Sequence, residues 1–164
     1  MKPNVISADV QAILNARIGD EYKAFYHYRA AANYCKGAGY KYAGAYFEKE
    51  AENELEHAKG IEAYLVDWNA EPALFSIGSA PIFTSLVEVI NASYALEYAL
   101  YEAYEKDSVT LLDANEVAAF DFLQKYRTIQ NESVAEYSDM LNELELIDAD
   151  DKFQVYYFEK RVFK

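Results

Sequence analysis

Glu50-Ala51-Glu52-Asn53-Glu54-Leu55-Glu56-His57-Ala58-Lys59-Gly60-Ile61 sets a carboxylate, Glu54, and an imidazole, His57, three residues apart inside an otherwise apolar helical stripe. Side chains at i and i+3 share a helix face. Counted in sevens, Phe47, Glu54, Ile61 and Trp68 align, with Ala51, Ala58 and Leu65 between them, so Glu54 stands where a core residue belongs. A buried carboxylate without a partner is costly. The pair therefore asks for a compensating charge, and for Glu-x-x-His on a bundle helix a metal ion is the common one. So short a motif also arises by chance, and then reads as a solvated glutamate beside a satisfied core histidine. The other helices decide.

Upstream, Ser7 is a candidate N-cap, and apolar residues recur at helical spacing from Asp9 to Cys35, with Glu21 in the middle of a stripe of Leu14, Ile18, Phe25, Tyr28, Ala32 and Cys35. Gly37-Ala38-Gly39 supplies the left-handed conformations that end a helix, and a second helix follows from about Lys41 to Asn69. Downstream, the period fails from Ala70 to Thr84, where Pro72, Gly78 and Pro81 appear. Such a stretch extends to about 50 Å, enough to run back along a helix of about 40 Å. The third helix can then lie parallel to the second. Ser85-Leu86-Val87-Glu88 reads as a capping box, and the third helix continues to about Lys106, with Val87, Ile90, Tyr94, Tyr101 and Tyr104 on one face and Glu97 among them. Asp113-Ala114-Asn115-Glu116 repeats the cap logic and starts a fourth helix, whose inward stripe of Phe120, Leu123, Val134, Tyr137, Leu141 and Leu144 is interrupted by Gln130. After the acidic link Asp148 to Asp151, the short aromatic stretch Phe153 to Phe163 has no period that separates helix from strand. The expectation is one all-α domain over residues 1–164, with no internal repeat.

Each long helix thus carries one polar residue at a core position. Glu21 and Glu54 are 33 residues apart with their midpoint at the Gly37–Gly39 turn, and Glu97 and Gln130 are again 33 apart with their midpoint at Asp113. In an antiparallel hairpin, equal distances from the turn mean equal heights. With the long connection returning the chain, Glu54 and Glu97 both lie roughly a dozen residues from their helix starts. All four then converge with His57 at the centre of the bundle. Three carboxylates, an imidazole and an amide in an apolar core call for cations, and carboxylate-rich ligation with an imidazole suits iron in both oxidation states. Tyr28, two turns from Glu21 on the same face, can hydrogen-bond a ligand, donate an electron or simply fill the core.

Composition narrows the class further. A chain of 164 residues, 52% hydrophobic and 26% charged with three Pro and six Gly, is long enough to bury a core and favours helix. The net charge of -13 repels nucleic-acid backbones and attracts cations. The lone Cys35 permits no intrachain disulfide and fits a reducing compartment. Met1 to Ser7 lacks the apolar region of a signal peptide, and no run approaches membrane-spanning length, so a soluble cytoplasmic chain is expected.

In Phe47 to Ile61 (FEKEAENELEHAKGI) and Phe122 to Ile147 (FLQKYRTIQNESVAEYSDMLNELELI), and over nearly the whole chain, the sequence resembles the ferritin family, in particular the non-haem ferritins of prokaryotes. The resemblance implies a four-helix bundle with a long crossover between helices two and three and a short fifth C-terminal helix, Phe153 to Phe163. It implies that Glu21, Glu54 and His57 hold a first iron, that Glu54 bridges, and that Glu97 holds a second iron with Gln130 close by, two ions per subunit. Tyr28 matches the family's tyrosine beside the centre. The implied activity is that of an iron-storage ferroxidase, which oxidises Fe(II) with dioxygen and stores ferric mineral inside a homo-oligomeric cage of 24 subunits.

Bacterioferritins are similar too, but the Met through which they bind haem would stand at Leu55, and their Glu-x-x-His on the fourth helix is replaced by Gln130-Asn131-Glu132-Ser133. Haem is therefore not expected. The third iron site of some prokaryotic ferritins keeps Glu132 but meets Asn53, Ile129 and Ser133 at its other positions, and Phe120 and Leu123 stand where animal ferritins line an acidic channel. A rubrerythrin-like peroxide-reducing enzyme is the alternative within the same fold, although no Cys pair exists for its rubredoxin-type iron. A protective mini-ferritin is another; its ligands come from two subunits, whereas this chain supplies a full set. Of the remaining residues, His27 points away from the Glu21 face and reads as a surface or interface histidine. Cys35 reads as a small core residue, and Tyr94, Tyr101 and Tyr104 as packing. Glu48, Glu52, Glu56 and Glu62 form a solvated face or an acidic inner wall, and Asp148 to Asp151 a hinge.

Overall fold

Ser7 begins the first helix by accepting the Val10 amide on its hydroxyl, and α1 runs Ala8–Ala38 until Gly39, at φ 91°, reverses the chain. The glycine is required there, because a side chain at that φ is strained. Gly37, expected in the turn, is still helical. The computed structural model describes residues 5–164 and builds five helices, with no strand among them. Met1 to Asn4, on which the reading of the chain's opening partly falls, lie outside the described residues. Among the described residues, no helix is long and apolar enough to cross a membrane.

The second helix, α2 (Lys41–Asp67), follows at once and packs chiefly on α1, while α3 (Leu86–Asp113) packs on α4 (Val117–Leu144). Between the two hairpins, residues 70–85 travel along the outside of α1. The Ala73 amide donates to Asn15 Oδ1, the Phe75 ring lies 3.7 Å from where a Cβ on Gly19 would stand, and Phe83 packs edge-on against His27 and Tyr34. From Asn15 to Tyr34 is about 28 Å at 1.5 Å per residue. The stretch is therefore the long crossover expected from its sequence.

Two helix boundaries differ from the sequence reading. The third helix does not stop near Lys106 but continues to Asp113, and Asn115, at φ 58°, makes the turn. Asp113 is thus the last residue of α3 and not the cap of α4, whose N-cap Glu116 makes no side-chain hydrogen bond. Asparagine tolerates the left-handed region, so Asp113-Ala114-Asn115-Glu116 imitates a cap while terminating a helix. At the start of α3 the capping box is shifted by one residue: Ser85 accepts the Glu88 amide, while the Glu88 carboxylate takes the Thr84 amide and hydroxyl at 2.8 Å each.

Phe153 to Phe163 is helical, within α5 (Lys152–Phe163), and Asp151, in the expected hinge, caps it by accepting the Phe153 and Gln154 amides. This last helix completes the second. Tyr40, at the N-cap of α2, offers no side-chain bond, and Glu159 of α5 supplies one instead: it is 1% exposed and accepts the Tyr42 and Ala43 amides at 2.7 and 2.9 Å. A carboxylate is well matched to the first amides of a helix. Replacing Glu159 with Ala should strand both amides, lower stability by about 1–3 kcal/mol, and speed hydrogen exchange at Tyr42 and Ala43; an unchanged urea midpoint would contradict this account of how α5 is held.

His27 is a correction. It is not a surface residue: it is 7% exposed, lies under the crossover against Phe83 and Tyr28, and its Nε2 is 2.9 Å from Ser93 Oγ on α3. A helical wheel orients a side chain but does not show what covers it. Burial lowers its pKa from 6.5 to about 4. The unfolded chain therefore takes up this proton before the folded one, so the stability it contributes is present above about pH 6.5 and lost as pH falls toward about 4. The difference corresponds to about 3 kcal/mol at most. With His27→Gln, the loss of urea resistance between pH 7 and pH 5 should shrink relative to the wild type.

Candidate metal centre

The core is two apolar clusters with a polar layer between them. One gathers Tyr28, Phe47, Ile90, Tyr137 and Phe158, among others; the second gathers Leu14, Ile18, Ile61, Leu65, Tyr104 and Leu123. Glu21 of α1, Glu54 of α2, Glu97 of α3 and Gln130 of α4 are all buried, none more than 3% exposed. Each occupies a position where its helix would otherwise present an apolar side chain, as Leu14, Ile18, Phe47, Ile61 and Leu100 do nearby.

Glu21, Glu54 and His57 offer ligand atoms that all lie within 4.8 Å of one another. His57 Nδ1 faces both carboxylates, 3.1 Å from Glu54 Oε2 and 3.5 Å from Glu21 Oε2. Glu97 joins the layer from α3, where its Oε1 accepts the hydroxyl of Tyr28. Tyr28 itself is clamped between Phe47 and Tyr137, ring centroids 6.0 and 6.3 Å away and nearly parallel. Gln130 brings a buried amide whose Oε1 has no hydrogen-bond partner. The convergence of α1, α2 and α3 follows the equal-height argument, and Gln130 is buried as that argument requires.

The electrostatics describe a site short of positive charge. Burial pushes the Glu54 carboxyl well above the usual range; His57 opposes this, while the charges of Glu21 and Glu97 add to it. Burial would also raise Glu21, but the closeness of His57 and Glu54 and the Tyr104 hydroxyl outweigh it and hold that group low. Glu97 rises to about 7, through burial first, with the Tyr28 hydrogen bond opposing and Glu21 and Glu50 contributing. Burial disfavours the imidazolium of His57, yet the two carboxylates lift it to about 10. Both shifts favour the proton-bound forms of Glu54 and His57, the sense in which protons can offset the negative charge of the cluster. Glu97 Oε2 remains buried without a hydrogen-bond partner, and Glu21 Oε2 has no hydrogen bond and only the His57 ring nitrogen at 3.5 Å; oxygens so poorly satisfied in an apolar core are what a cation relieves. The donor set of carboxylates, one imidazole and one amide fits iron.

One participant was not legible as such. Tyr104, expected only to pack, donates its hydroxyl to Glu21 Oε1. It is fully buried and stacks on Tyr126, whose ring meets His57 edge-on. The available signal was its position seven residues after Glu97, on the same face of α3. Tyr94 and Tyr101 are half-buried, and Cys35 is a buried core residue, as expected. Of the acidic face of α2, Glu52 and Glu56 are exposed, Glu48 pairs with Arg29 and Lys36, and Glu62 accepts the Tyr22 hydroxyl.

An all-α bundle with a long crossover and a buried carboxylate–histidine layer defines the carboxylate-bundle class of metal proteins. The ferritin-like domain model matches residues 11–147. Among curated relatives, a bacterial non-haem ferritin of Staphylococcus epidermidis is 28% identical over 160 residues, covering 96% of this chain and 95% of that one. One from Campylobacter jejuni is 26% identical over 144 residues, covering 87% and 86%. Among solved structures, an open pore ferritin from the archaeon Archaeoglobus fulgidus superposes with a TM-score of 0.88 at 23% identity, covering 96% of this chain and 97% of that one, a likeness of fold. The chain belongs to the ferritin family, within its prokaryotic non-haem branch. Iron storage is the general task of that family.

A layer built for cations should burden the protein that lacks them. Glu97→Gln keeps an acceptor for Tyr28 but removes one charge, so the metal-free variant should be more stable than wild type by about 1–3 kcal/mol and gain less from added Zn(II). Thermal melts with and without metal measure both, and a destabilised metal-free variant would contradict the argument.

Proposed function

We propose that this chain is an iron-storage ferroxidase, oxidising Fe(II) with dioxygen at a di-iron site within each subunit and storing the ferric product in a cage. The observation that carries the reading is the convergence of Glu21, Glu54 and His57 within 4.8 Å, at the apolar centre of the bundle. Glu21 and His57 hold the first ion, Glu54 bridges, and Glu97 holds the second, with Gln130 as a neighbouring amide. Tyr28, hydrogen-bonded to Glu97, orients that carboxylate. Loading displaces the protons of Glu54 and His57, which the incoming charge replaces. Each Fe(II) then gives up one electron, and dioxygen accepts the pair. Holding the ions side by side makes that pair available in one encounter.

Leu55 offers no thioether, so no haem takes part. We read the assembly as a cytoplasmic homo-oligomer of 24 subunits; what supports association between copies is aromatic surface that the single chain leaves uncovered, Phe153 and Tyr157 of α5 being 75% and 61% exposed. The charge of -13 favours iron ions as cargo and disfavours nucleic acid as a partner.

Aerobic addition of Fe(II) to the metal-free protein should produce ferric absorbance quickly. Glu54→Ala should slow it by about 10–100-fold, since losing a ligand disturbs a site at least as much as losing its supporting partner. An undiminished rate would sink the assignment. Oxidation by peroxide but not by dioxygen would favour the rubrerythrin-like alternative, and a particle of twelve subunits by light scattering the mini-ferritin one.

A further inference from the structure

Glu21 and Glu97 each have one oxygen held by a tyrosine hydroxyl and one that no hydrogen bond holds. Tyr104 donates to Glu21 Oε1 as Tyr28 donates to Glu97 Oε1, whereas Glu21 Oε2 and Glu97 Oε2 are buried with no hydrogen-bond partner. The second oxygen of Glu21 is the one that faces His57 Nδ1, at 3.5 Å. We propose that Tyr104 is a positioning residue: by occupying Oε1 it makes Glu21 a ligand through Oε2 alone, so that the ion beside His57 keeps an open coordination position. The inference rests on the metal-centre reading above and deepens it.

Three observations give the tyrosine the rigidity this requires. Its ring is fully buried. It stacks on Tyr126 with centroids 6.0 Å apart and planes 15° from parallel. The Arg17 guanidinium, anchored 3.3 Å from Asp107, lies 5.9 Å from its centroid. For Glu21 to close on an ion with both oxygens, Oε1 would have to leave the phenol, stranding a buried donor in an apolar cluster. A carboxylate bound through one oxygen has no such penalty. It also leaves the metal a position for an external ligand, as sites that do chemistry require.

Replacing Tyr104 with Phe keeps the ring stack and removes only the hydroxyl. Glu21 is then free to chelate through both oxygens, and the position on the first ion that an external ligand would enter is closed. Co(II), added without air to the metal-free protein and then titrated with azide, reports this directly, because an anion entering the ion's open position shifts its visible d–d bands. Wild type should bind Co(II) and shift its bands on addition of azide. Tyr104→Phe should bind Co(II) at the same stoichiometry but lose most of the azide response, and Tyr126→Phe, which removes the hydroxyl of the neighbouring ring, should match wild type. A Tyr104→Phe azide response identical to wild type, or a wild type loaded with Co(II) that does not respond to azide, overturns the proposal while leaving the metal centre standing; a wild type that binds no Co(II) overturns both. Should Tyr104→Phe fail to fold by circular dichroism, a crystal of Co(II)-loaded wild type decides: Glu21 bound through Oε2 alone, with Tyr104 still on Oε1, supports the proposal, and both oxygens on the ion overturn it.

Discussion

Three glutamates in the middle of an apolar bundle are the constraint on which the rest of this structure turns. Unrelieved, mutually repelling carboxylates at near-zero exposure would open the core. The chain meets the constraint by separating duties along its length. Two apolar clusters supply the cohesion, one toward each end, and the polar layer is confined to the level where Glu21 of α1, Glu54 and His57 of α2 and Glu97 of α3 meet. A bundle can carry such a layer because it interrupts each heptad stripe only once.

The tyrosines make the layer precise. Tyr28 belongs to one cluster and Tyr104 to the other, so each presents a rigid, apolar-packed ring with its hydroxyl turned toward a carboxylate. Burial keeps both phenols protonated, raising them well above their ordinary range, so both remain donors. A phenol is suited to this work because one end packs as a hydrophobe while the other hydrogen-bonds. Two of the chain's sixteen tyrosines have this place in the structure.

Much of this was legible because helical geometry converts spacing into height. The two 33-residue steps placed Glu21 with Glu54 and Glu97 with Gln130, and the structure buries all four. Spacing says less about what covers a residue. His27 was misplaced because its cover, Phe83, comes from a crossover with no period to read. Tyr104 passed as filler because a hydroxyl at a core position has the same sequence signature whether or not an acceptor awaits it across the bundle. The end of α3 was set seven residues early because Asp113-Ala114-Asn115-Glu116 carries residues that suit both a helix start and a left-handed turn. The family resemblance supplied what geometry left open, above all the helical state of Phe153 to Phe163.

The bond from Glu159 to the start of α2 spans 117 residues of chain. During synthesis the first hairpin emerges well before its cap exists, and nascent chains order by domain as they leave the ribosome. The opening turn of α2 thus has no side-chain partner for its Tyr42 and Ala43 amides until Glu159 has been made and α5 has docked. The closing of the first hairpin therefore waits on a segment that follows both hairpins in the chain, and the order of docking is set by the order of the chain.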